Sequence, residues 1–220
     1  MLLLGCAVTA PSPAPTPSEA PSKGGWKYDL ENAEEILATC AGCHGSTAAG
    51  GGDGEYPRLA GLSERYIIRQ LRAFKSRKRI NIPMYSYATE RELPPDDVRD
   101  IARLLSQIEL PTKLPPPDAE MSAYERLVAA QAVFNVPRVD GDIEMGFELY
   151  DDECSSCHGE QGWGEDDVPQ LAGQYTDYLR RQIQAFRSGT RKNDDMDGVF
   201  EEVDANDLED IFAYLASLDD

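Results

Sequence analysis

Cys40-Ala41-Gly42-Cys43-His44 and Cys154-Ser155-Ser156-Cys157-His158 are two copies of one five-residue pattern, Cys-x-x-Cys-His. The pattern is the attachment sequence of c-type haem: two thiols add to the porphyrin vinyl groups and the adjoining imidazole becomes an axial iron ligand. A single turn of backbone sets both sulfurs on one edge of the macrocycle and the histidine beneath the metal. Two copies predict two covalently bound haem c groups, held through Cys40, Cys43, Cys154 and Cys157. A zinc reading pairs both motifs into one closed site and leaves ligands over, since zinc takes four. A thioredoxin-like reading needs a βαβ pattern that the chain lacks.

Working outward, the two motifs lie in duplicated surroundings. A shift of 112 residues aligns Pro57 with Pro169, Leu59-Ala60-Gly61 with Leu171-Ala172-Gly173, and Tyr66 with Tyr178. It also aligns Arg69-Gln70 with Arg181-Gln182, Arg79 with Arg191, Asn81 with Asn193 and Met84 with Met196. The stretch from 57 to 84 holds 13 identities in 28 positions without a gap, so the halves are copies of one module.

The duplication also nominates the second axial ligand. His44 and His158 are the only histidines in the chain, and both are taken by the motifs. Met84 is the only methionine between His44 and the end of the first half, and Met196 is the only one after His158; the two coincide in the repeat. Each iron is therefore predicted to be His/Met, a soft thioether pairing that favours the ferrous state. Arg79, Asn81, Arg191 and Asn193 flank the methionine segments and are candidates for propionate pairing and for hydrogen bonds around the ligand. Met145, ahead of its motif, is expected to pack against neighbours.

Helical periodicity and capping signals run through both halves. Asp29 is placed to open a helix that delivers Cys40. Ser63 or Glu64 begins another with Ile67, Leu71 and Phe74 on one face. Pro94-Pro95-Asp96 begins a third with Val98, Ile101, Leu104 and Leu105 inside. The expected organisation is residues 26–110 as a first domain, 111–139 as a partly helical connector packing across the domain interface, and 140–220 as a second domain. Residues 1–25 read as the end of an export signal followed by a proline-rich tether. Within them Leu3-Leu4-Gly5-Cys6 resembles a lipobox, making Cys6 a candidate for lipidation.

Charge is unevenly spread. Residues 26–110 carry 12 Lys+Arg against 13 Asp+Glu, whereas residues 140–220 carry 5 against 23. A surface this acidic repels nucleic acid and favours redox partners with a basic docking face. Any membrane association is expected only through the N-terminal lipid, and the chain is expected to be a monomer.

The motifs at 40–44 and 154–158, the Pro-x-Leu-Ala-Gly segments at 57–61 and 169–173, the Tyr-x-x-x-Gln-x-x-x-Phe helices at 66–74 and 178–186, and Met84 with Met196 together resemble the diheme class I cytochromes c of the c-four type. The resemblance covers nearly everything from residue 27 onward. It implies an all-α fold of two tandem class I cytochrome c domains about a pseudo-two-fold axis. It also implies a non-enzymatic, periplasmic electron carrier that passes single electrons between a respiratory donor and a terminal acceptor. The alternative is the haem subunit of a dehydrogenase such as a flavocytochrome c sulfide dehydrogenase. A diheme peroxidase is disfavoured, because no histidine remains to serve as a distal base.

Overall fold

The computed structural model describes residues 25–110, 116, 120–133 and 136–218. Cys6 and the proline-rich tether lie outside the described residues. The first half contains α1 (Leu30–His44), α2 (Glu64–Lys75) and α3 (Pro95–Ser106), with a 3-10 turn at Pro83–Ser86. A connector helix, α4 (Ala123–Val133), leads to α5 (Ile143–Glu153), α6 (Ser155–His158), α7 (Thr176–Arg187) and α8 (Ala205–Ser217), with a 3-10 turn at Asp194–Met196.

Each half closes around the crossing of its first and last long helices, α1 with α3 and α5 with α8. The first core joins Tyr66 and Ile67 of α2 to Val98, Ile101 and Leu105 of α3. The second joins Tyr150 and Leu179 to Leu208, Ile211, Phe212 and Leu215. These are the positions that the 3.6-residue spacing places on one helix face.

The crossings share a lock that the ungapped repeat did not reveal. Asp29 caps α1 by accepting from the Asn32 amide, and its own amide donates to Oδ1 of buried Asp100 on α3, 3.1 Å away. In the second half, Asp142 caps α5 while its amide donates to Oδ1 of Asp210 on α8 at 2.8 Å. The closest approach is solved differently in the two halves. Asn32 donates from its side chain to Asp97 and Asp100, whereas Gly146 lets α5 press on α8 so closely that a Cβ there would stand 2.0 Å from the Asp210 carbonyl oxygen.

The motif helix is continuous in the first half and broken in the second, where Cys154 leaves helical geometry between α5 and α6. Asp151-Asp152-Glu153 sits just before the break. Anions at a helix C-terminus oppose the macrodipole, whereas Leu37-Ala38-Thr39 imposes no such penalty on α1.

One expectation is corrected. Met145 is half exposed rather than packed, because it lies on the outer side of α5. The connector helix leaves Tyr124, Leu127 and Val128 exposed and buries Val133 at its end.

That interface is built by side chains of the duplicated helices, in matched pairs. Arg69 of α2 donates to the Asp167 carbonyl of the second half at 2.6 Å, and its repeat mate Arg181 of α7 donates to the Gly54 and Glu55 carbonyls of the first. Equivalent donors meet equivalent loops, which is the signature of a pseudo-two-fold axis.

Candidate functional site

His44 and His158 end their helices, each followed by a glycine at φ +79° (Gly45, Gly159) that turns the chain sharply away. Both rings are buried. Nδ1 of His44 lies 2.9 Å from the Pro57 carbonyl oxygen, and Nδ1 of His158 lies 2.9 Å from that of Pro169. A carbonyl oxygen can only accept, so each Nδ1 carries the proton. Burial, the larger influence, pushes both imidazoles below their ordinary pKa despite the pull of the carbonyl. The result in both halves is a neutral, oriented ring with its Nε2 lone pair free, the state a metal-ligating histidine needs.

Cys40, Cys43, Cys154 and Cys157 are all free thiols. Burial pushes Cys40 up, reinforced by Cys43; burial pushes Cys154 up to about 11, with Glu153 adding to it. Redox-active and zinc-binding cysteines are activated in the opposite direction, towards the thiolate. Among the described residues, no three His, Cys, Asp or Glu side chains gather as a metal cluster. Two thiols that are not paired with each other, beside an oriented neutral imidazole, fit covalent haem, and the same donor set occurs twice.

Each candidate methionine sits in a 3-10 turn, Met84 in Pro83–Ser86 and Met196 in Asp194–Met196. The Met84 amide donates to the Asn81 side-chain oxygen at 3.1 Å, and the Met84 carbonyl accepts the Tyr87 and Ala88 amides. The Met196 amide instead donates to the Asn193 backbone carbonyl at 2.9 Å. Asn81 therefore holds its methionine through its side chain and Asn193 through its main chain. Asp194 and Asp195 share the Met196 turn, whereas Ile82 and Pro83 precede Met84.

Arg79 and Arg191 sit in the middle of the contact between the halves. Arg79 donates to Gln70 on its own side at 2.8 Å and to Tyr178 and Gln182 across the boundary at 2.7 and 2.9 Å. Arg191 mirrors this with Gln182 at 2.8 Å and with Tyr66 and Gln70, both at 3.3 Å. Tyr66 and Tyr178 thus combine a place in the packed helices with a hydroxyl that crosses between halves.

Three features escaped the sequence reading. Buried Gln174 bridges to the first half by accepting from the Arg58 amide and donating to the Arg58 carbonyl, both at 2.9 Å. Its repeat position holds Leu62, so the duplication gave no signal for it. Tyr56 sets its ring edge-on to His44 at 6.1 Å, where the second half has Val168. Arg77 stacks on Tyr85 beside Met84.

The sequence model of the family described as Cytochrome c matches residues 30–109 and 143–219. A thiosulfate dehydrogenase electron acceptor from Stutzerimonas stutzeri strain A1501 is 35% identical over 171 residues, covering 77% of this chain and 73% of that protein. A cytochrome c4 from Pseudomonas aeruginosa is 29% identical over 197 residues, covering 86% of this chain and 89% of that one. The crystal structure of reduced cytochrome c4 from Pseudomonas stutzeri superposes with a TM-score of 0.65 at 24% identity, over 86% of this chain and 98% of that chain.

Proposed function

Because the chain belongs to the cytochrome c family, as a diheme electron carrier of the cytochrome c4 type, we propose that it relays single electrons in the periplasm between a respiratory dehydrogenase and a terminal acceptor. In this reading Cys40 and Cys43 hold one haem and Cys154 and Cys157 the other. His44 with Met84, and His158 with Met196, are the axial pairs. Bound there, each haem supplies a one-electron couple. The chain's own residues keep the ligands fixed so that little reorganises on transfer. Pro57 and Pro169 orient the imidazoles, Asn81 and Asn193 fix the methionine turns, and Arg79 and Arg191 tie the halves at a set separation.

The observation that carries this reading is the repeated buried imidazole, its Nδ1 tied to a proline carbonyl and its Nε2 left for the metal, beside paired thiols. Covalent attachment of haem takes place outside the cytoplasm, which supports the periplasm. Among the described residues, no helix is long and apolar enough to cross a membrane.

The donor proposed is an enzyme that oxidises a reduced sulfur compound, because the S. stutzeri relative carries the name of an electron acceptor for thiosulfate dehydrogenase. A tightly bound haem subunit of a dehydrogenase, such as a flavocytochrome c sulfide dehydrogenase, is the second reading. The acidic second half directs docking to a basic partner face and makes encounter sensitive to salt. Mixing the oxidised holoprotein with a thiosulfate dehydrogenase and thiosulfate should reduce both haems at a rate that falls with ionic strength. No reduction rejects the donor, a rate indifferent to salt rejects electrostatic docking, and co-purification as a fixed complex selects the subunit reading.

A further inference from the structure

Resting on the assignment of Met84 and Met196 as axial ligands, we propose that Arg77 is a positioning residue that clamps the Met84 turn. The second half lacks that clamp, so Met196 is the more readily displaced ligand.

The helix preceding each methionine ends in the same way. Arg77 follows α2 with φ +60°, and Gly189, its repeat mate, follows α7 with φ +69°. Their amides donate to the Phe74 and Phe186 carbonyls at 3.1 and 2.9 Å, and two residues on Arg79 and Arg191 donate to Ala73 and Ala185. This left-handed position suits glycine, and an arginine there is strained by its Cβ. Space does not explain the difference, because a Cβ added at Gly189 meets nothing within 4 Å.

What the arginine gains is contact with the ligand turn. Its guanidinium carbon lies 3.5 Å from the centroid of the Tyr85 ring, and Tyr85 directly follows Met84 in the turn. A planar guanidinium stacked on an aromatic face is a directional contact that a lysine or an aliphatic chain does not reproduce. The second half has lost both partners together: Gly189 replaces Arg77 and Asp197 replaces Tyr85. The clamp thus ties the α2 terminus to the residue beside Met84, and Met196 is held without it.

Imidazole titration of the oxidised holoprotein, followed by the weak near-infrared methionine-to-iron band, tests this. The wild type should lose the band in two steps. Arg77→Gly should move only the later step, lowering its midpoint roughly two- to five-fold, the strength of an exposed cation–π contact. Because the left-handed strain is relieved, thermal stability of that variant should hold or rise. Tyr85→Ala should act as Arg77→Gly does, and Tyr85→Phe should restore the wild-type midpoint. Wild-type behaviour of Arg77→Gly, a shift of both steps together, or failure of Tyr85→Phe to restore overturns the clamp. Met84→Ala run alongside separates the two levels: if it leaves the band whole, the ligand assignment fails; if it halves the band while Arg77→Gly changes nothing, the clamp alone fails.

Discussion

Arg79 and Arg191 pair through their backbones as an isolated antiparallel bridge across the boundary between the halves, and each extends its guanidinium to a tyrosine and a glutamine of the other side. The tyrosine and glutamine oxygens that these guanidiniums meet offset part of the cost of burying two like charges at the centre of an interface.

Arg79 makes the shorter cross-boundary bonds, so its loss should cost more than that of Arg191. Arg79→Ala takes the cross-boundary donor from the Tyr178 hydroxyl and leaves Gln182 with Arg191 alone, and is expected to destabilise the holoprotein by about 2 kcal/mol. Arg191→Ala, whose cross-boundary bonds are 3.3 Å long, should lose less. Urea unfolding of both variants checks the order; equal losses would show that the network is not weighted towards Arg79.

Asp100 is the buried post of the first half. It accepts from Trp26 Nε1 at 3.0 Å, the Asp29 amide at 3.1 Å and the Asn32 side chain at 3.0 Å. Asp100→Ala removes all three bonds and frees the N-terminal end of α1, with an expected loss of about 2–4 kcal/mol in denaturant unfolding. A near-neutral effect would mean that the α1–α3 crossing does not depend on this lock.

Glu64 opens α2, where burial pushes its carboxyl above the ordinary value of 4.5 against the opposing pull of Arg103. A raised folded value means that the folded chain holds this proton more tightly than the unfolded one. Its stabilising contribution is full below pH 4.5 and is lost as pH rises through the raised value. Glu64→Gln should therefore match the wild type in acid and gain on it towards neutrality. Denaturation midpoints across that range check the sign, and a variant that loses ground as pH rises would contradict it.

Asp194 and Asp195 place carboxylates in the turn that carries Met196, where the first half has Ile82 and Pro83. Negative charge favours the ferric state, so the second haem should have the lower potential. Replacing both aspartates with asparagine should narrow the gap in a redox titration. A second haem at or above the first in the wild type would refute the assignment.

The sequence made much of this molecule legible because its chemistry is concentrated in rare residues. Two histidines, four motif cysteines and two repeat-matched methionines left little freedom in naming the sites, and Asp29, Ser63 and Pro95 marked where helices begin. The interface was harder to read, because Arg69, Arg79 and Gln174 look like surface residues until the halves are brought together. The Asp100 and Asp210 locks were hidden for a different reason. The motifs, methionines and last helices repeat at slightly different intervals, so no single shift aligned them. Arg77 was hidden because arginine does not mark a left-handed backbone position, whereas the glycine at its repeat position, Gly189, does.

The central claim is two haems, each clamped between an imidazole and a thioether. Pyridine haemochrome stoichiometry, combined with the near-infrared methionine band in Met84→Ala and Met196→Ala, tests it most directly. The account predicts two haems per chain and loss of half the band in each variant. One haem per chain, or a band untouched by either substitution, would contradict it.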